Sequence, residues 1–308
     1  MTDLQTALRD YAALRRSLGF VAKESDHLLP SFVAYLEGVG AAHVSTQAAL
    51  AWATMPAAAL PVTWAQRLGA VRGFAHYLAN SDPLTEVPAA DLLPARYTRA
   101  APYLYSDAEI GALMAAARSL SPALRAATYE AFIGLVSVSG LRAGEAIRLD
   151  RSDIDYRRAV VVVRNSKLEV AREVPLHETT LHALRAYGVV RDQWSPKQAV
   201  AAYFVSTLGS RLCLVTVDAT FRRLLAHAGI KAGPGRRRPR AHDLRHSFAV
   251  KTLIDWHTQG ADVDARMPLL SKVLGHGNPA STYWYLQASP ELFGMVARRL
   301  DAQSGGGS

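Results

Sequence analysis

The stretch SDPLTEVPAADLLPARYTRAAP carries Pro83, Pro88, Pro94 and Pro102, and this spacing decides how the chain can fold. Each proline removes a backbone donor and disfavours helix at the residue before it, so no helical period crosses the segment. It has the composition of an interdomain linker and places a boundary near residue 101. Upstream, Leu4, Leu8, Tyr11, Leu14 and Leu18 recur at helical spacing, as do Leu28, Phe32, Tyr35 and Leu36. Further helices are expected over 46–54, behind Ser45 or Thr46 as N-cap, and over 62–79. Residues 1–100 are therefore expected to form a small helical bundle with its linker.

Downstream, SDAEIGALMAAA starts a helix at Ser106 or Asp107, and a second is expected over 122–138. The pattern then changes in RRAVVVVRNSKLEVAREVPLH to a β-branched run, a polar turn at Asn165-Ser166-Lys167, and an alternating run ending at Pro175. That is a hairpin with Lys167 at its tip. Helices return over 177–192, 216–228, 242–256, 267–274 (closed by Gly275) and 279–286. The expected fold is mainly α: a helical N-terminal domain, then an α+β domain over 101–303 with one small antiparallel sheet. The closing SGGGS, 304–308, is expected to be a flexible tail.

With 308 residues, half of them hydrophobic, the chain can bury two cores. No stretch approaches the ~18 apolar residues of a membrane span, and acids punctuate the amphipathic N-terminus, so a cytoplasmic protein without a membrane partner is expected. Cys213 is the only cysteine, which excludes an internal disulfide and a multi-thiolate metal site. Its neighbours in RLCLV suggest a buried small hydrophobe. The net charge of +9 is uneven: residues 1–100 hold 8 Lys+Arg against 8 Asp+Glu, and residues 101–308 hold 27 against 18. A basic half on a compact protein points to a polyanionic partner, usually nucleic acid.

Several residue groups can carry chemistry. In AHDLRHSFA, His242, Arg245 and His246 share roughly one helix face. Two His at i, i+4 resemble a helical zinc motif, but Asp243 is a methylene shorter than the Glu that motif requires, and Arg245 would sit beside a dication. A cation flanked by imidazoles suits an anion such as phosphate. In SGLRAGEAIRL, Gly140 breaks one helix and Arg142 opens the next, with Glu145 one turn on to pair with it. Lys167 at the hairpin tip can reach outward, and His276 follows the Gly275 helix stop on a loop. In HGNPASTYWYLQ, Tyr283 and Tyr285 lie about 200° apart on a helix, so both cannot enter one site. Helical geometry alone does not choose between them.

The order Arg142, Lys167, His242-x-x-Arg245, His276, Tyr285 resembles the active-site series of the tyrosine recombinases, the phage integrase and Xer-like family. The matching stretches are GLRAGEAIRL, VRNSKLEVAREVPL, AHDLRHSFA and LGHGNPASTYWYL, and the last is closest in wording to transposon-encoded members. The resemblance implies a site-specific DNA recombinase or transposase that cuts and rejoins strands through a 3′-phosphotyrosine, with no metal and no cofactor. It implies that residues 1–100 are a DNA core-binding domain and 101–303 the catalytic domain. It assigns Arg142, Arg245 and His276 to the phosphate, Lys167 to the leaving 5′ oxygen and His242 to proton handling at the tyrosine. Glu145 supports Arg142. The family spacing of nine residues after the histidine selects Tyr285 as nucleophile, leaving Tyr283 and Trp284 to pack or position. Arg236, Arg237, Arg238 and Arg240 are then expected on phosphates flanking the cut. The implied partners are double-stranded DNA, three further copies in a homotetramer assembled on it, and accessory proteins. Rival readings are a type IB topoisomerase, a catalytically idle DNA-binding module and a zinc hydrolase.

Overall fold

A computed structural model describes residues 3–20, 25–94, 101–164, 171–194, 200–233, 237–278 and 280–288. The expected turn Asn165-Ser166-Lys167, Arg236, Pro279, residues 95–100 of the proline-rich stretch and the 304–308 tail lie outside the described residues. The chain divides into two compact units, Met1–Arg99 and Ala100–Ser308.

The first unit is built from α1 (Leu4–Ser17), α2 (Ser25–Gly38), α3 (Thr46–Thr54) and α4 (Pro61–Leu78). Asp3 caps α1 by accepting from the Gln5 and Thr6 N–H groups, and the Ser45 hydroxyl caps α3 by accepting from Ala48 N–H. Phe32, Val33, Leu36, Trp52, Val71 and Phe74 form a common buried core. Part of the proline-rich stretch folds back on this bundle. Arg72 donates to the carbonyls of Pro88 and Ala89, both at 2.8 Å, and Glu86 N–H donates to the Val44 carbonyl at 2.8 Å. The prolines rule out helix there but leave carbonyls for a neighbouring arginine to hold.

The second unit contains α5 (Asp107–Arg118), α6 (Ala123–Ser139), α7 (Ala143–Arg148), a short 3-10 turn, β1 (Ile154–Asp155), β2 (Val160–Val163), β3 (Arg172–Pro175), α8 (Glu178–Trp194), α9 (Leu214–His227), α10 (Ala241–Thr258), α11 (Val263–Leu274) and α12 (Ala280–Ala288). Ser106 and Glu109 close a reciprocal capping box at the start of α5. The sheet order is β1-β2-β3, antiparallel throughout, with Val161 opposite Val174 and Val163 opposite Arg172. The mainly helical class with one small antiparallel sheet is as the sequence indicated. Helix α6 is the hub, packing against α5, α7, α8 and α10. A smaller cluster joins α10, α11 and α12 and includes Leu253, Met267, Leu274 and Tyr285.

Two expectations are corrected. Helix α11 begins at Val263, capped by the Asp262 carboxylate on Ala265 N–H, and runs through Pro268; the proline made the sequence look like a later start at 267. Cys213 is exposed, because it is the residue before α9 and its thiol turns outward to Thr216 Oγ1 at 2.9 Å. Among the described residues, no helix is long and apolar enough to cross a membrane.

Candidate active site

Gly140 ends α6 with φ 65°, a left-handed conformation that glycine adopts without strain. A Cβ there would meet Phe248 of α10 at 2.5 Å and Leu274 of α11 at 2.8 Å, so the chain turns in a space closed by two other helices. The turn delivers Arg142 to the first position before α7 and aims the Gly140 carbonyl at α10, where it accepts from Arg245 Nη1 at 2.7 Å.

Among the described residues, Arg245 is the most enclosed cation of the site, 1% exposed, and its Nη2 has no hydrogen-bond partner there. Burial lowers the Arg245 pKa to about 10, with the neighbouring Arg142 charge adding to the effect and Tyr285 and Glu145 opposing it. A buried, half-satisfied guanidinium is costly alone and is stabilised by an anion that takes the spare donor.

Arg142 is held from two sides: Nη1 donates to Glu145 Oε1 at 2.8 Å and Nη2 to the Gly275 carbonyl at 3.2 Å, while its side chain stays partly open to solvent. Glu145 is 8% exposed and belongs to a larger network. From β3, Arg172 places Nη2 on Glu145 Oε2 at 2.7 Å, Nη1 on Oε1 at 3.2 Å, and Nε on the Val273 carbonyl at 2.9 Å. Burial would raise the Glu145 pKa, but the hydrogen bonds and charge of Arg172, then the Arg142 contacts, bring it down to about 2. One carboxylate thus joins α7, β3 and the end of α11. The pairing of Arg142 with Glu145 was legible in the sequence; the buried partner Arg172 was not.

Gly275 closes α11 with φ 65°, and His276 N–H reaches back to the Ser271 carbonyl at 3.0 Å. A Cβ on Gly275 would lie 2.7 Å from the Arg172 guanidinium carbon. Gly275→Ala is therefore expected to cost on the order of 1–3 kcal/mol through strain and displacement of Arg172. A chemical-denaturation midpoint unchanged from wild type would contradict this. His276 Nδ1 pairs with the buried Thr282 Oγ1 at 2.7 Å, which orients the ring from the first turn of α12.

The two phenols separate as their spacing requires. Tyr285 is 1% exposed and Tyr283 is 44% exposed, so Tyr283 faces solvent instead of packing. The Tyr285 hydroxyl lies 3.0 Å from His246 Nδ1, and its ring lies nearly parallel to that of His276 with centroids 6.1 Å apart. His242 is half-buried in the first turn of α10, its ring edge-on to His246 at 4.8 Å. Arg237 and Arg238 are exposed ahead of α10, and Arg240 pairs with Asp243 at 3.6 Å. The structure therefore brings Arg142, Glu145, Arg245, His276 and Tyr285 to one locus, with His242 at its edge. Lys167 and Arg236 lie outside the described residues. Sequence reasoning missed Arg172 and Thr282 as participants, and placed His246 on the face of Arg245 without giving it a contact to Tyr285. Strand alternation held a signal for the first, since Arg172 shares the inward face with Val174. Thr282 lies three residues before Tyr285 and so shares its helix face.

The fold recurs in solved DNA-recombining proteins. XerH site-specific recombinase bound to palindromic difH substrate matches with TM-score 0.69 at 16% identity, covering 88% of this chain and 77% of that one. The Tn1549 transposon integrase in complex with transposon right end DNA matches with TM-score 0.69 at 17% identity, covering 97% and 99%. At sequence level, a putative integrase/recombinase y4rB of Sinorhizobium fredii is 42% identical over 307 residues, 98% of each chain. Tyrosine recombinase XerD of Caulobacter vibrioides is 30% identical over 242 residues, 77% of this chain and 74% of that one. The family model described as phage integrase family matches residues 104–291. This chain belongs to the phage integrase family, a class of tyrosine-type site-specific recombinases.

Proposed function

We propose that the chain cuts and rejoins double-stranded DNA at specific sites, with Tyr285 as the nucleophile and the second unit as the catalytic domain. The observation that carries this reading is the buried Nη2 of Arg245, without a hydrogen-bond partner among the described residues, beside Arg142 at the locus where the Tyr285 phenol also lies. Phosphodiester transesterification needs a nucleophile, neutralisation of the nonbridging oxygens, a proton for the leaving oxygen and in-line geometry. Arg142 and Arg245 donate to the nonbridging oxygens, His276 adds a third donor, and Lys167 protonates the departing 5′ oxygen. The phenol forms a 3′-phosphotyrosine that keeps the ester bond, so a 5′-hydroxyl from another strand reseals the DNA without ATP.

Arg237, Arg238 and Arg240, together with Arg236, contact phosphates flanking the cut, while the first unit clamps the duplex. The site of action is the cytoplasm. Strand exchange between two duplexes needs four active sites, which calls for a tetramer assembled on DNA from weakly associating protomers.

A library of nicked duplexes that trap covalent intermediates, incubated with the protein in EDTA, denatured and sequenced from the protein-linked fraction, tests the reading. Recovery of 3′-linked DNA sharing one sequence is the expected result, undiminished by the chelator because two guanidiniums supply the charge compensation. Retained DNA binding without linkage would overturn it in favour of a binding module, and relaxation of supercoils without site preference would favour a topoisomerase.

A further inference from the structure

In the reading above Arg142 donates to the phosphate, so the direction of its donors matters as much as its charge. Two acceptors from different elements hold it: Glu145 Oε1 on α7 takes Nη1 at 2.8 Å, and the Gly275 carbonyl after α11 takes Nη2 at 3.2 Å. Both acceptors lie against one further side chain. We propose that Arg172, on β3, is a positioning residue for strand cleavage, orienting the Arg142 guanidinium through the carboxylate and the turn that hold it. This rests on the recombinase reading and adds to it a residue that acts without touching the DNA.

The carboxylate is the first route. Glu145 Oε2 accepts from Arg142 N–H at 2.9 Å and from Arg172 Nη2 at 2.7 Å, while Oε1 accepts from Arg142 Nη1 at 2.8 Å and Arg172 Nη1 at 3.2 Å. Each oxygen serves both arginines, and the planar fork of Arg172 fixes the carboxylate that Arg142 meets. Glu145 and Arg172 are both buried, and the carboxyl is held down to about 2, so the acceptor stays ionised at neutral pH. Arg172 also blocks a competing arrangement. A buried carboxylate with a single guanidinium beside it favours a two-pronged pair, which would turn the Arg142 donors away from the phosphate. With Arg172 on the carboxylate, Arg142 Nη2 reaches the Gly275 carbonyl instead.

The turn is the second route. Arg172 Nε donates at 2.9 Å to the carbonyl of Val273, two residues before Gly275, and a Cβ on Gly275 would lie 2.7 Å from Arg172 Cζ and Nη1. The guanidinium thus packs directly against the turn whose carbonyl receives Arg142. Arg172 is itself anchored in the sheet, opposite Val163 and on the same inward face as Val174. One side chain therefore ties sheet, α7 and the end of α11 together around Arg142. Lysine could supply the charge but not the fork that meets both carboxylate oxygens and a carbonyl at once.

The test uses the full chain and a nicked duplex carrying the recovered site, below the unfolding transition of each variant. Arg172→Lys is expected to slow covalent capture at saturating DNA roughly 10- to 100-fold, with the half-saturating DNA concentration within about twofold of wild type. A merely structural role would lower the amount of folded protein and leave the rate constant of the folded fraction unchanged. The second readout is a double-mutant cycle with Arg142→Lys, whose ammonium lacks the fork that Arg172 orients; in that background Arg172→Lys should cost less than about threefold. Arg172→Gln, which keeps an amide donor without the charge, is the second variant for both readouts. A wild-type rate constant in folded Arg172→Lys, the same loss in both Arg142 backgrounds, or failure of both Arg172 variants to fold would overturn the assignment and leave Arg172 as a structural ion-pair partner. A wild-type chain that binds DNA and forms no Tyr285 ester would instead overturn the recombinase reading itself.

Discussion

Tyr285→Phe is expected to abolish protein-linked DNA, and Tyr283→Phe to leave capture within about twofold of wild type. The first substitution removes one oxygen, and that oxygen is the atom that would bond to phosphorus. The ring still fills the cluster of α10, α11 and α12, and the hydrogen bond to His246, worth about 1 kcal/mol, is lost. A complete loss of linkage with near-normal stability therefore reports chemistry and not unfolding. Tyr283 is 44% exposed on the other side of α12, and its hydroxyl has no route to the same phosphate. Capture retained by Tyr285→Phe and lost in Tyr283→Phe would reverse the assignment. Separation on a denaturing gel with end-labelled duplex reads the result directly.

The largest expected effect on stability comes from Arg172→Met. Methionine fills much of the side-chain volume but leaves Glu145 buried with Arg142 as its remaining ion-pair partner among the described residues and frees the Val273 carbonyl. Breaking one side of a buried pair costs about 3–5 kcal/mol, which in a unit of this size lowers Tm by roughly 6–20 °C. Calorimetry of the full chain reads the shift; a drop under about 2 °C would show that the network adds nothing. The pH dependence has a definite sign. Because the folded Glu145 carboxyl sits near 2, below its ordinary 4.5, the stability it contributes is complete above the ordinary value and is lost as pH falls toward about 2. The gap between wild type and Arg172→Met should therefore be widest near neutral pH and narrow across that acid window.

The sequence by itself determined the kind of elements and much of the site. Prolines between 83 and 102 ruled out a continuous helix, and helical periodicity placed α3 at Thr46–Thr54, where it stands. The β-branched run found β2, and Pro175 ended β3 at the expected residue. Gly140 and Gly275 announced their helix stops, because a positive φ favours glycine wherever it occurs. The spacing of Tyr283 and Tyr285 meant that both could not enter one site, since helical geometry is local.

Tertiary structure decided what local pattern cannot encode, namely which distant groups meet. Arg172 lies 27 residues from Glu145 and 101 from Val273, and only the packing of β3 against α11 brings them together. Likewise His246 and Tyr285 are 39 residues apart, and their hydrogen bond exists because α12 packs on α10. Cys213 shows the converse error: apolar neighbours suggested burial, but the position before a helix turned the thiol outward. Periodicity reports which face of an element is apolar, whereas the docking of elements selects the partner that a buried charge or phenol receives.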